Sequence, residues 1–353
     1  MKINIEPESL VPKLPSPKDL QPFPNVLSVE YKGHTDMVRT ISTDKIGQYL
    51  LSGSDDGTIK IWEVNTGRCL RTIKTDDVVR SVEWCPNAAL SLVLVASGKR
   101  VLLINPHVGD YLVCSKTDSV LQEAPTTESV MSERVRTSVQ WSQPEEDLFK
   151  RGVRIVLTHF KEVSQVTWHG RDIPEEIPAT LTKSKGLIQC VLFHPTKPCL
   201  FVATQRHVRI YDLVKQTLVK KLLTNSKWIS SLAIHSGGDN LLVGTYDRKV
   251  LWFDLDLSTK PYQVLRLHGT AVRTVAYHKR YPLFASGSDD RSLIISHGMV
   301  YNDLLQNPLI VPLKRLEDHE QFDDFGIFAV HFHPLQPWVF SSGADSTIKL
   351  YSN

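Results

Sequence analysis

The chain has 353 residues, a formal charge of +3, 41% hydrophobic and 22% charged residues, the balance of an ordinary soluble protein. No apolar run approaches the ~20 residues of a membrane helix, and Met1 to Glu6 is no signal peptide, so an intracellular, membrane-free setting is expected. The five cysteines (Cys69, Cys85, Cys114, Cys190, Cys199) include no CxxC pair, which argues against zinc ligation or a disulfide framework.

Residues 1–25 are rich in proline (Pro7, Pro12, Pro15, Pro17, Pro22, Pro24) and show no helical or strand period. Proline removes ladder donors and favours extended backbone, so an extended arm is expected. Val26 to Tyr31 then alternates as a strand does.

Gly33-His34, followed by Ser52-Gly53-Ser54-Asp55-Asp56-Gly57-Thr58-Ile59-Lys60-Ile61-Trp62, is the fullest copy of a recurring unit. It reads as short strands joined by tight polar turns, one blade of a β-propeller. His34, Ser52, Asp56 and Trp62 have the spacing of a hydrogen-bonded network that ties the entry loop to the turn between two strands. The same Ser, His and Asp invite a hydrolase reading, but inside a repeated blade the structural reading is preferred.

The unit recurs. An apolar, x, x, apolar pattern places second anchors at Ile41, Val82, Val166, Val191, Leu232, Val275 and Val330, which predicts an all-β, seven-bladed WD40 propeller over residues 26–353. Val26 to Tyr31 is expected to supply the outer strand of the last blade, closing the ring and removing an open edge. Most steps between anchors match a blade of roughly 40 to 45 residues. The step from Val82 to Val166 is far longer, and assigns a long acidic insertion to blade 2, residues 106–152 or so, with Asp110, Asp118, Glu123, Glu128, Glu133, Glu145, Glu146 and Asp147. That insertion reads as a partly disordered surface segment, after which Val153 to Phe160 resumes the blade as its outer strand. Its Thr126, Thr127, Ser129 and Ser132 are candidate phosphorylation sites.

The step from Val166 to Val191 is too short, leaving a third blade over residues 162–185 without room for all its strands. Either that blade is degenerate or the chain lacks residues there; the second is preferred, since a gap in a closed ring exposes two edges. Later turns keep the acid at Asp247, Asp290 and Asp345 better than the full network, and the fourth unit has Arg206-His207 in its place. His194, His235, His278 and His333 end four inner strands; they lie in different blades and read as turn or packing residues, not as a metal site.

No phosphate loop, GxSxG, HExxH or dinucleotide fingerprint occurs, so neither cofactor nor catalysis is expected and function is sought on the surface. Arg39, Arg80 and Arg273 follow the first anchors of blades one, two and six, a rim position that makes them candidates for an arc facing acidic protein or RNA phosphate. The competing reading pairs each with the neighbouring blade's turn acid, Asp56, Asp290 or Asp345. Arg68 and Arg71 form a second candidate surface, or else a solvated edge protected by charge.

Three stretches carry a resemblance: Ile5 to Pro24, Trp252 to Tyr262, and His297 to Leu309. They resemble the carboxy-terminal half of the Erb/Bop (block of proliferation) ribosome-biogenesis proteins, along Ile3 to Tyr351, with the short third blade and the absent amino-terminal region as departures. The resemblance implies a non-catalytic scaffold of the nucleolus and nucleoplasm in large (60S) subunit biogenesis. It also implies docking of a Ytm-type WD-repeat protein by the propeller, and of a pescadillo-type protein by the amino-terminal region. Contact with the pre-60S particle and pre-rRNA, and a requirement in maturation of large-subunit rRNA precursors, follow from the same likeness. A peptide-binding substrate receptor unrelated to ribosomes and a propeller enzyme are the alternatives from other classes.

Overall fold

The computed structural model describes residues 15–122, 139–168, 187–301 and 308–353. β1 (Val26–Tyr31) is followed by the first sheet formed in sequence, β2 (Val38–Thr43), β3 (Tyr49–Ser54), β4 (Thr58–Glu63) and β5 (Cys69–Lys74). The next comprises β6 (Val79–Trp84), β7 (Val93–Ser97), β8 (Arg100–Ile104), β9 (Val139–Ser142) and β10 (Val153–His159). Three four-stranded sheets follow. They are β11 (Ile188–Phe193) with β12 (Cys199–Thr204), β13 (His207–Asp212) and β14 (Thr217–Leu223); β15 (Ile229–Ile234) with β16 (Asn240–Thr245), β17 (Val250–Asp254) and β18 (Gln263–Leu265); and β19 (Val272–Tyr277) with β20 (Leu283–Ser288), β21 (Leu293–Met299) and β22 (Leu309–Leu316). The last combines β23 (Ile327–Phe332), β24 (Val339–Gly343) and β25 (Ile348–Ser352) with β1, which pairs antiparallel to β25 and joins the two ends of the chain in one sheet.

Where sheets adjoin, their facing sides are buried against each other. Leu51, Ile59, Ile61 and Ile73 of β3 to β5 pack on Val79, Val82, Val93 and Val95, while Leu50 and Trp62 face Phe340, Ile348 and Leu350 of the last sheet. Alternation along a strand sends successive side chains to opposite faces, so two-sided burial requires apolar residues at nearly every position. The innermost strand presses so closely on the preceding sheet that a Cβ on Gly53 would lie 2.4 Å from Val79. Ser16 caps a 3-10 turn at Pro17–Leu20, and Phe23 enters the core beside Leu283, Leu293 and Tyr351. The arm thus ends docked across the last two sheets, and residues 1–14 lie outside the described residues.

Two expectations are corrected. Among the described residues there are six sheets, not seven. Val163 to Trp168 is extended and takes an inner position, with Val166 donating its N–H to Ser81 Oγ and Gln165 Oε1 accepting from Val191 N–H, but it has no strand partner of its own. The reason is chain length: residues 169–186, outside the described residues, are all that separate it from β11. The consequence shows at Ile188, which is 43% exposed, whereas its equivalents Val38, Val79, Ile229, Val272 and Ile327 are fully buried.

The insertion is also more ordered than its composition implied. It holds α1 (Tyr111–Gln122), α2 (Glu146–Lys150) and β9, a fifth strand outside β10. Asn105 Nδ2 donates to Cys114 O and Asp118 Oδ1, and Arg154 Nε donates to the same Asp118 oxygen at 2.7 Å, so acids that read as solvated are spent on anchoring the helix. Thr126, Thr127, Ser129 and Ser132, with Glu123, Glu128 and Glu133, lie outside the described residues.

Candidate docking surface

The blade network forms as a chain of buried polar contacts. His34 Nδ1 is 2.8 Å from Asp56 Oδ2, His34 Nε2 is 2.8 Å from Ser52 Oγ, and Trp62 Nε1 donates to that same Ser52 Oγ. Burial holds the His34 pKa below its ordinary value despite the adjacent Asp56. The order Asp, His, Ser is that of a hydrolytic triad, but Ser52 is fully buried and its hydroxyl is committed to Trp62. Two further copies exist that sequence reading missed: His268 with Ser286, Ser292 and Asp290, and His319 with Ser341 and Asp345. A signal was available, since the 18-residue separation of His34 from Ser52 recurs between His268 and Ser286.

In every such turn the acid also accepts a backbone N–H of the entry loop, from Thr35 to Asp56, Gly269 to Asp290 and Glu320 to Asp345. Asp247 accepts from Lys227 in the same way with no histidine present. Burial opposes ionisation of Asp345, but the His319 contact and the Glu320 N–H outweigh it and hold the carboxyl down at about 2. The four inner-strand histidines are turn staples. Nδ1 of each accepts backbone N–H bonds from the turn that follows, and Nε2 of His278 and His333 reaches the next sheet at Gln336 O and Gly47 O.

Two of the rim arginines, Arg39 and Arg273, converge on one aromatic ring, Phe328. Arg39 Nε donates to Asp55 Oδ2 at 2.8 Å and its guanidinium lies 4.3 Å from the Phe328 centroid. Arg273 Nε donates to both oxygens of Asp289, at 2.9 and 2.8 Å, and its guanidinium lies 4.9 Å from Tyr246, 5.0 Å from Phe325 and 6.0 Å from Phe328. Arg80 is held loosely, 3.9 Å from Asp55. The paired acids are therefore Asp55 and Asp289, the first of each turn and not Asp56 or Asp290, because the second acid is turned toward its histidine. Aromatic residues Phe325, Phe328 and Tyr246, which sequence reading passed over, complete this surface; stacked guanidinium groups of this kind gain roughly 0.5–2 kcal/mol each. Among the described residues no cluster of histidine, cysteine and carboxylate groups is arranged to hold a metal.

The second candidate pair divides. Arg71 donates from Nη1 to Pro106 O at 2.5 Å and from Nη2 to Arg151 O at 3.1 Å, fastening β5 to the insertion. Arg68 precedes β5 in an exposed turn.

Comparison with known proteins fits this architecture. A sequence profile for the WD domain, G-beta repeat, matches residues 25–63, 216–254, 259–295 and 310–352. Each match starts within a few residues of the beginning of the outer strand of one sheet and ends within the third strand of the next. The chain is 63% identical over 374 aligned positions to the ribosome biogenesis protein BOP1 homologue of Drosophila melanogaster, covering 100% of the chain and 47% of that relative. For the homologue of Aedes aegypti the identity is 64% over 371 positions, covering 99% of the chain and 43% of the relative. The chain thus spans about half the length of the curated relatives it matches. Alignments of 374 positions over 353 residues also mean that the relatives carry residues within the matched stretch that this chain lacks.

Proposed function

The chain belongs to the BOP1 family of ribosome biogenesis proteins, and from that premise we propose that it is a non-catalytic propeller scaffold of large-subunit assembly. The observation that carries this reading is identity above 60% in an alignment that covers the whole chain. In this role the propeller docks a second, Ytm-type WD-repeat factor within the pre-60S particle and contacts pre-rRNA. A pescadillo-type protein joins through the part of the relatives this chain does not span. Maturation of large-subunit rRNA precursors depends on the assembly, which works in the nucleolus and nucleoplasm. The rim bearing Arg39, Arg80 and Arg273 and the exposed Arg68 are the docking candidates. The internal position of Val163 to Trp168 supports placing the relatives' additional residues in the third blade, completing a seven-bladed ring in them.

The test is the affinity of this chain for a Ytm-type propeller across a salt series, wild type against Arg39→Glu, Arg68→Glu and Arg273→Glu, each checked for an intact thermal transition. A reversed charge at a desolvated interface costs several kcal/mol, while one at a wet rim changes little beyond the salt slope. Loss of binding in one folded variant locates the docking face. Absence of binding by the wild-type chain overturns the docking reading.

A further inference from the structure

Arg39 and Arg273 are neutralised by aspartates of their own turns; a group of cations with no ion pair among the described residues lies on the sheet of β11 to β14. There the turn from β12 to β13 carries Arg206-His207 where four other sheets carry Asp56, Asp247, Asp290 and Asp345. His207, Arg209 and Lys221 share one face, because Arg209 stands directly opposite Lys221 and His207 opposite Leu223. Like charges facing each other across a ladder destabilise a sheet. Burial first, then Lys221, Arg209 and Arg206, press the His207 pKa below its ordinary value, so the imidazole is neutral and surrounded by cations. His207 Nδ1 and Arg209 Nη1 are buried without a hydrogen-bond partner. A cavity of about 370 Å³ opens beside them, lined by Arg206, His207, Leu223, Asn225, Ser226 and Lys227. The nearby Asp247 is engaged by the backbone N–H of Lys227.

Next to Lys227 stand two exposed aromatic residues. Trp228 is 39% and Tyr246 37% exposed, with ring centroids 6.3 Å apart at 82°, and Tyr246 in turn abuts Arg273 at the rim. Cations around a small cavity, unpaired polar atoms beside it and aromatic rings alongside suit an unpaired nucleic-acid strand, whose phosphates take the charge and whose bases take the rings. An acidic peptide would satisfy the cations but leave the aromatic pair without a use.

We propose that the cavity lined by Arg206, His207 and Lys227, with Arg209 and Lys221 on the strands beside it and Trp228 and Tyr246 alongside, is a binding site for single-stranded RNA. The proposal rests on the pre-rRNA contact in the functional reading above and gives it a location; it is independent of propeller docking, which the salt series against a Ytm-type protein reads separately.

The experiment is fluorescence anisotropy of the full chain with a fluorescein-labelled twelve-nucleotide oligouridylate between 50 and 200 mM salt, with an RNA duplex and an oligoglutamate peptide as competitors. Arg206→Glu combined with Lys221→Glu should weaken binding at least tenfold and flatten the slope of log K against log salt by about 1.4, two phosphate contacts at ~0.7 each. Trp228→Ala should weaken binding roughly fivefold or more at every salt concentration, from the loss of one stacked base. Arg68→Glu, on the far sheet, should leave it unchanged, and all variants should keep the wild-type melting temperature. Absence of RNA binding by the wild type, or wild-type affinity in both the double variant and Trp228→Ala, overturns the proposal. So does oligoglutamate competing as well as RNA, which would assign the cavity to an acidic protein.

Discussion

The backbone N–H of Val166 donates to Ser81 Oγ at 3.3 Å although Val166 belongs to no sheet. The same bond runs from Val82 to Thr40, from Val275 to Ser231 and from Val330 to Thr274, so a hydroxyl on one inner strand receives the next inner strand around the ring. Val163 to Trp168 thus occupies a blade's place at the channel without the blade behind it.

That arrangement predicts a graded response to removal of the hydroxyl. Thr274→Ala leaves the buried Val330 N–H unpaired and should cost about 1–3 kcal/mol in urea denaturation. Ser81→Ala frees an N–H that is only part-buried and backed by no sheet, so its cost should be smaller. Equal costs would mean that residues 163–168 are packed as firmly as a complete blade.

Arg273 and Arg80 look alike in sequence and differ in what they hold. Asp289 is buried, and burial pushes its pKa up against the pull of Arg273. Arg273→Ala strands that carboxylate and removes the contacts to Tyr246 and Phe325, which should cost roughly 2–4 kcal/mol. Arg80→Ala breaks a 3.9 Å contact of a side chain 43% exposed and should stay within about 0.5 kcal/mol. Thermal unfolding of the two variants side by side checks the order. The contrast also governs docking experiments, since lost binding in an Arg273 variant counts only if the fold survives.

Glu83 and His331 line one cavity and are shifted in opposite directions. Burial raises Glu83 to about 7, even though its carboxylate accepts the Trp168 N–H, and burial lowers His331 to about 4. A raised folded-state pKa gives stability present at low pH and lost as pH climbs toward 7; a lowered histidine pKa gives stability lost as pH falls below about 6.5. Among the described residues the depressed histidines, with His34, His278 and His333 also lowered by burial, outnumber the raised carboxyls of Glu83 and Asp289, so the melting temperature should fall from pH 7 to pH 5. Glu83→Gln keeps the acceptor for Trp168 and removes the charge. It should be more stable than wild type by about 3 kcal/mol at pH 8, with the difference gone by pH 4.5. A constant difference across that range would assign the effect to packing.

Much of this molecule was legible in its residues. Period, turn acids and the His34, Ser52, Asp56, Trp62 set disclosed a propeller, because a two-sided buried blade needs apolar strands and self-satisfying polar turns wherever it occurs. The alternation of Val26 to Tyr31 disclosed ring closure for the same reason. Stretches specific to one family disclosed the connection to ribosome biogenesis, a step that fold chemistry alone does not reach.

Other features waited on three dimensions. Whether Asp55 or Asp56 meets Arg39 depends on which way each carboxylate leaves a turn, and spacing is the same for both. That Arg39 and Arg273 share Phe328 depends on the last sheet standing between the first and the one before it. That Asp118 of the insertion meets Arg154, 36 residues on, depends on α1 folding back against β10. The sequence determined the repeating unit, since each blade is specified by contacts within some forty residues; the tertiary structure decided the surface, because its side chains come from different blades and meet only when the ring brings them together.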